Sequence, residues 1–158
     1  MSSGIQKISF IGSGNVATHL AKAFSKKGIT IQQIYSQTCD NSEILAWQAN
    51  SIYICNLEEL NLEVDLLIFA VKDEVIKILS QEILKKKPDM PVVHTSGTVG
   101  LDVFENYPNT GIFYPLQSFS KTKKLDLSEV PFLITSDNAA FKEKLKQLAA
   151  RLSNNVLE

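Results

Sequence analysis

Residues 5–17 read Ile-Gln-Lys-Ile-Ser-Phe-Ile-Gly-Ser-Gly-Asn-Val-Ala, an apolar strand running straight into a G-x-G-x-x-A turn and then a helical pattern. This order constrains the fold more than any other stretch, because strand, glycine turn and helix together open a β-α-β unit. Gly12 allows the tight turn out of the strand. Gly14 has no Cβ, so the backbone there can lie close to a pyrophosphate. Ala17 is small, as the third glycine of the pattern is, and lets the new helix pack on the sheet. The free N–H groups and positive dipole end of that helix favour an anion. The turn therefore reads as a cradle for the diphosphate of a dinucleotide, with Gly12, Ser13, Gly14, Asn15 and Val16 around it. The plain alternative is a strand-to-helix turn that holds nothing.

The rest of the chain keeps the same alternation. After a strand at Ile8 to Ile11, a helix sets Val16, Leu20 and Phe24 on one face and Lys22 and Lys26 on another, and Gly28 ends it. Strands follow at Ile29 to Tyr35 and Ser51 to Cys55, separated by a short helix over Asn41 to Ala49. Asp65 to Val71 is almost uniformly apolar, as a central strand covered on both faces should be. A helix from Asp73 to about Lys86 turns Val75, Ile76, Leu79 and Ile83 inward, with lysines at its C-terminal end. Further strands are expected at Pro91 to His94, Gly111 to Tyr114 and Pro131 to Thr135. Phe141, Leu145, Leu148 and Leu152 mark a last helix. The expected fold is an α/β domain: a doubly wound, mainly parallel sheet with helices on both faces.

Length and charge remove several classes of function. A chain of 158 residues, 44% apolar, fits one domain with a full core. A formal charge of −1 with no basic face argues against a nucleic-acid partner. Cys39 and Cys55 are too few and too far apart for a zinc motif or a disulfide framework, so they read as two thiols in a reduced cytoplasm. No secretion-signal pattern and no membrane-spanning apolar run stand out, so a soluble, cytoplasmic protein is expected. His19 and His94 lie far apart with no carboxylate at ligand spacing, which gives no reason to expect a metal.

In a doubly wound sheet the ligand lies beyond the carboxyl ends of the strands, where strand order reverses. After the second strand come Ser36, Gln37 and Thr38, where an Asp or Glu would bind the ribose of NAD and a nearby cation the 2′-phosphate of NADP. Neither is there. No lysine or arginine occurs from Gly28 to Val71, whereas six acids do: Asp40, Glu43, Glu58, Glu59, Glu63 and Asp65. Ser36, Gln37 and Thr38 can hydrogen-bond a 2′-phosphate, more weakly than a cation would, and Asp40 reaches the ribose only if the loop folds back. A polar loop bonded to water and its own backbone is the other reading. The choice between NADP and NAD stays open.

The same rule selects Val71–Asp73 after the central strand, with Ala70, Val71 and Lys72 as cofactor contacts, and His94–Thr98 after the next, with His94, Thr95 and Ser96 as the candidate residues. Ser96 has no neighbouring base to make it a nucleophile, but its hydroxyl can orient a carbonyl or a nicotinamide carboxamide, with Thr95 beside it. His94 can donate a proton to a reduced carbonyl, although a histidine ending a buried strand is also a structural hydrogen-bonder. Tyr114 and Gln117 are candidate substrate contacts at the end of the sixth strand. Phe119 reads as packing, His19 as a solvated helix residue, and Lys121, Lys123 and Lys124 as a solvated loop.

With the glycine turn, His94-Thr95-Ser96-Gly97 and the Tyr-Pro-Leu-Gln-Ser-Phe run over 114–119, the sequence resembles the N-terminal Rossmann-like domain of NAD(P)-dependent oxidoreductases whose second domain has no assigned function. That group is similar to pyrroline-carboxylate reductases and to 3-hydroxyisobutyrate and 6-phosphogluconate dehydrogenases. The resemblance covers roughly Ile5 to Asn155. It departs at Gln37, where NADP-binding relatives often have Arg, and at Tyr114, where many have His. It implies a dinucleotide-binding Rossmann domain over residues 1–156, a small carbonyl or imine substrate, and an all-helical C-terminal domain that commonly builds a homodimer. No such helical domain lies within this sequence, and its last two residues, Leu157-Glu158, can also be read as a vector-derived end. Two further readings stand beside it: a non-catalytic Rossmann module for nucleotide sensing or protein contact, and a methyltransferase, which the alanine in the fingerprint disfavours.

Overall fold

A computed structural model describes residues 4–120 and 125–158; the lysine run at Lys121, Lys123 and Lys124 lies outside the described residues. The elements in chain order are β1 (Lys7–Ile11), α1 (Asn15–Lys26), β2 (Thr30–Tyr35), α2 (Cys39–Gln48), β3 (Ile52–Ile54), β4 (Leu66–Phe69), α3 (Asp73–Lys86), β5 (Val92–His94), β6 (Thr110–Pro115), β7 (Phe132–Thr135), α4 (Ala139–Ala150) and β8 (Val156–Leu157). They form one sheet in the order β3-β2-β1-β4-β5-β6-β7-β8. Strand order reverses between β1 and β4, the switch point at which such sheets open a crevice.

The strands from β3 to β6 are parallel, as expected. The seventh is not: β7 pairs antiparallel to β6, with Phe113 opposite Ile134. Among the described residues between these strands there is a single 3-10 turn, Leu127–Glu129, and no α-helix to carry a parallel crossover. After α4 the chain adds β8, which sequence periodicity is too short to register, parallel to β7. Leu157 lies in that strand, and Glu158 meets Lys146 at 2.8 Å and Lys142 at 3.5 Å.

Two cores sandwich the sheet. On one face Leu20, Phe24, Leu45, Phe141 and Leu145 from α1, α2 and α4 cover Ile8, Phe10, Ile68 and Phe113. On the other, Ile76, Ile83 and Leu84 from α3 join Phe104 over Leu67, Phe69 and Val92. All four residues of β4 are buried, which accounts for its uninterrupted apolar run. Gly28 sits at φ +85, a left-handed conformation that suits glycine at a helix C-terminus. Among the described residues no helix is long and apolar enough to cross a membrane.

The cysteine expectation is corrected by the fold. Cys39 opens α2 and Cys55 follows β3, and the β2-α2-β3 unit folds these positions, 16 residues apart, back to a Cα–Cα distance of 5.2 Å in a disulfide. Sequence separation misled here because a crossover returns the chain beside its own start. Closing a loop of this size restricts the unfolded chain and stabilises a domain by about 3 kcal/mol. Reduction, or replacement of both cysteines by serine, is expected to lower unfolding free energy by about 2–3 kcal/mol in urea titrations. Identical midpoints with and without reductant would show that the bond contributes nothing.

Candidate functional site

The crevice at the switch point is built from the ends of β1 and β4. Gly12 adopts φ +117, and its N–H donates to the Tyr35 carbonyl at 2.7 Å. A Cβ here would overlap the Ala70 carbonyl and lie 3.1 Å from Val71 Cγ1. Gly12 is thus required by the fold itself. Gly14 differs: its φ of −77 suits any residue, and a Cβ would meet nothing within 4 Å. The protein gives no internal reason for glycine at this position. Gly14 is also the N-cap of α1, which has no side-chain cap and no acid in its first turn. No side-chain cap or acid therefore compensates the N–H groups and dipole at this helix start. The cradle fits an anionic group that approaches the backbone closely.

The other expected cofactor contacts fall into two groups. Ser13 is buried, whereas Asn15 donates from Nδ2 to the Phe119 carbonyl at 3.1 Å. Val16, Ala70 and Val71 are half-buried and pack against the cores, and Lys72 is the exposed N-cap of α3. At the end of β2, Ser36 Oγ lies 3.2 Å from Thr38 Oγ1 and accepts the Thr38 N–H at 3.3 Å, so these hydroxyls organise their own turn. Gln37 is exposed between them. Asp40 stands exposed in the first turn of α2.

His19 is not solvated as expected. Its Nε2 donates to the Ser120 carbonyl at 2.6 Å, and its ring lies 5.2 Å from that of Phe119. With Asn15, it seats the segment after β6 onto α1. Phe119 does pack against the core, in keeping with the sequence reading. Tyr114 lies hard against the next loop, since a Cβ on Gly97 would come within 2.8 Å of its Oη. Gln117 is exposed, with its own N–H bonded to the Pro115 carbonyl at 2.9 Å.

His94 and Ser96 are both hydrogen-bonded within the loop after β5, His94 as the structural reading expects. His94 is fully buried, its Nδ1 accepting the Ser96 N–H at 3.1 Å and its Nε2 lying 3.2 Å from the Gly100 carbonyl. Both ring nitrogens are engaged within one loop, so neither is available to a substrate in this conformation. Ser96 Oγ accepts the N–H groups of Thr98 at 3.1 Å and Val99 at 3.2 Å. Thr95 is half-buried beside them. Asp73, which the strand-end rule selected without giving it a role, accepts the Thr98 hydroxyl on Oδ2 at 2.8 Å.

Burial holds the His94 pKa below its ordinary 6.5, against opposing pulls from the Gly100 carbonyl and the Asp73 charge. The folded state therefore favours the neutral ring, and the unfolded chain takes up the proton first as pH falls past 6.5. Stability contributed by this group falls with acidification below that value. The ring resonances of His94 are expected to titrate with a midpoint below 6.5 in NMR, and a midpoint at or above it would contradict the buried neutral state.

Comparison with known proteins agrees with this architecture. The profile of the Rossmann-like domain family matches residues 2–117. The chain belongs to the Rossmann-like domain family. A Bacteroides fragilis protein provisionally named an NADP oxidoreductase is 38% identical, with a TM-score of 0.91 over 96% of this chain and 60% of its own. Two more distant structures share the fold. Prephenate dehydrogenase of A. aeolicus, solved with NAD+ and hydroxyphenyl propionate, is 13% identical with a TM-score of 0.82, covering 99% of this chain and 60% of its own. A pyrroline-5-carboxylate reductase of Coxiella burnetii is 15% identical with a TM-score of 0.76, covering 98% and 58%. The chain thus spans about three fifths of the length of these proteins. Comparison with curated proteins gives no match.

Proposed function

We propose that this Rossmann-like domain binds the dinucleotide of an NAD(P)-dependent oxidoreductase that reduces or oxidises a small carbonyl or imine compound. The observation that carries the reading is Gly14, a glycine facing open space at the uncapped start of α1. Gly12, Ser13, Gly14, Asn15 and Val16 would hold the diphosphate, Ser36, Gln37 and Thr38 the adenosine ribose, and Ala70, Val71, Lys72 and Thr95 the nicotinamide half. When bound, the nicotinamide supplies the hydride chemistry, and the domain supplies position and electrostatics. Tyr114 and Gln117 would line the substrate side. His94 and Ser96 act in this reading by shaping the loop between cofactor and substrate.

NADP is favoured over NAD. Ser36, Gln37 and Thr38 directly after β2 carry no negative charge to repel a 2′-phosphate, and the 38%-identical relative carries NADP in its name. The domain would work over residues 1–156, beside a helical domain that completes the active site and joins two copies. Calorimetric titration with NADPH and NADH tests this. Binding of NADPH, tighter than NADH, is expected; absence of binding by either at millimolar concentration, with the fold intact, would overturn it.

The engaged state of His94 and Ser96 also favours a second reading, a domain that binds a nucleotide without catalysing its turnover. Cofactor binding with no oxidation of NADPH by the complete protein, across small carbonyl and imine compounds, would support it.

A further inference from the structure

The loop after β5 and the first turn of α3 are joined by a hydrogen-bond chain whose direction is fixed. A carboxylate only accepts, so Thr98 donates its hydroxyl proton to Asp73 Oδ2 at 2.8 Å. With that proton committed, the 3.2 Å contact between Ser96 Oγ and Thr98 Oγ1 has to run from Ser96 to Thr98. Ser96 Oγ in turn accepts the N–H groups of Thr98 and Val99, and the Ser96 N–H donates to His94 Nδ1. His94 then carries its proton on Nε2, which donates to the Gly100 carbonyl. One arrangement of protons satisfies every hydrogen bond in this chain.

The place of this chain in the sheet gives it a use. In the dinucleotide reading the diphosphate would lie at the switch point between β1 and β4, with the two nucleosides to either side. Ser36–Thr38 ends the β1–β3 side, which would hold the adenosine. The Asp73 and His94–Gly100 segments end β4 and β5, on the other side. We propose that the Asp73–Thr98–Ser96 chain is a positioning device for the nicotinamide half of the site, locking the β4 and β5 loops in one relative pose before the cofactor arrives. The proposal rests on the dinucleotide reading above. Asp73 and Thr98 are positioning residues in it: Asp73 acts through Thr98, and Thr98 through Ser96 and the backbone it holds. Preorganisation of this kind raises affinity by removing the cost of ordering loops on binding.

The test compares wild type with Thr98→Val, which keeps the side-chain shape and loses the hydroxyl, and Thr98→Ser, which keeps the hydroxyl. Thr98 is exposed, so both variants should fold, with urea midpoints as the control. The probes are NADPH and 2′-phospho-ADP-ribose, which lacks the nicotinamide, with NADH and ADP-ribose measured alongside. Thr98→Val is expected to weaken dinucleotide binding about tenfold and leave the ADP-ribose compounds unchanged. Thr98→Ser should recover wild-type affinity, and Asp73→Ala should repeat the Thr98→Val pattern. Faster amide exchange at Val99 in Thr98→Val would report the loosened loop directly. Unchanged dinucleotide affinity in Thr98→Val overturns the proposal, as does an equal loss for both probe types, which would mean general support of the fold. If the wild type binds none of the four probes, the dinucleotide reading itself fails. That outcome differs from failure of the positioning role, in which the wild type binds and the variants match it.

Discussion

Gly14→Val is expected to leave the domain folded and to remove most of its affinity for a dinucleotide. The position has φ −77, and no neighbour lies within 4 Å of where a Cβ would stand, so valine meets no clash there. The remaining stability cost is that of a poorer N-cap, about 1 kcal/mol. The ligand feels the change differently, because a branched side chain would stand in the space before the first-turn N–H groups of α1. Charge-assisted bonds to a diphosphate contribute about 1.5–3 kcal/mol each, and loss of two is a drop in affinity of at least about a hundredfold. Calorimetric binding of NADPH together with a urea melt checks both halves. Wild-type affinity in this variant would show that the glycine turn is not where the dinucleotide lies.

Gly12→Ala, two residues earlier, is expected to do the reverse and damage the fold. Its φ of +117 is closed to L side chains, and the added methyl would overlap the Ala70 carbonyl. That carbonyl cannot retreat freely, because the Ala70 N–H bonds to the Ile11 carbonyl at 2.9 Å and so ties β4 to β1. Backbone strain and displacement of a central strand end together should cost about 3 kcal/mol or more. This is a large share of the roughly 5–15 kcal/mol that holds a typical domain. Urea unfolding of the variant measures it, and a change under about 0.5 kcal/mol would refute the steric clash. One turn thus separates into a glycine for the protein and a glycine for a ligand.

Most elements were legible because their signals are local. The apolar run Leu66–Phe69 and the inward residues Ile76 and Ile83 follow from strand and helix periodicity. Gly28 marks a helix end through its own backbone preference. The reversed direction of β7 was not legible, since apolar alternation looks the same in either direction and only the missing crossover decides it. β8 has two residues, too few for a period. In the candidate site, glycine positions were readable and hydroxyl partners were not. The partners of Ser96 (Thr98 and Val99) and of His19, read as a solvated ring (Ser120), are fixed by how loops fold and leave no local signal.

The sequence by itself determined that this chain forms a β-α-β sheet with a glycine turn at its first strand, because backbone freedom and hydrophobic period are properties of neighbouring residues. Tertiary structure alone decided that Cys39 meets Cys55, that Gly12 rather than Gly14 is demanded by packing, and that Asp73 reaches Thr98 across two loops. Each of these depends on a distance between segments remote in sequence, and such distances exist only once the sheet has set its strands side by side.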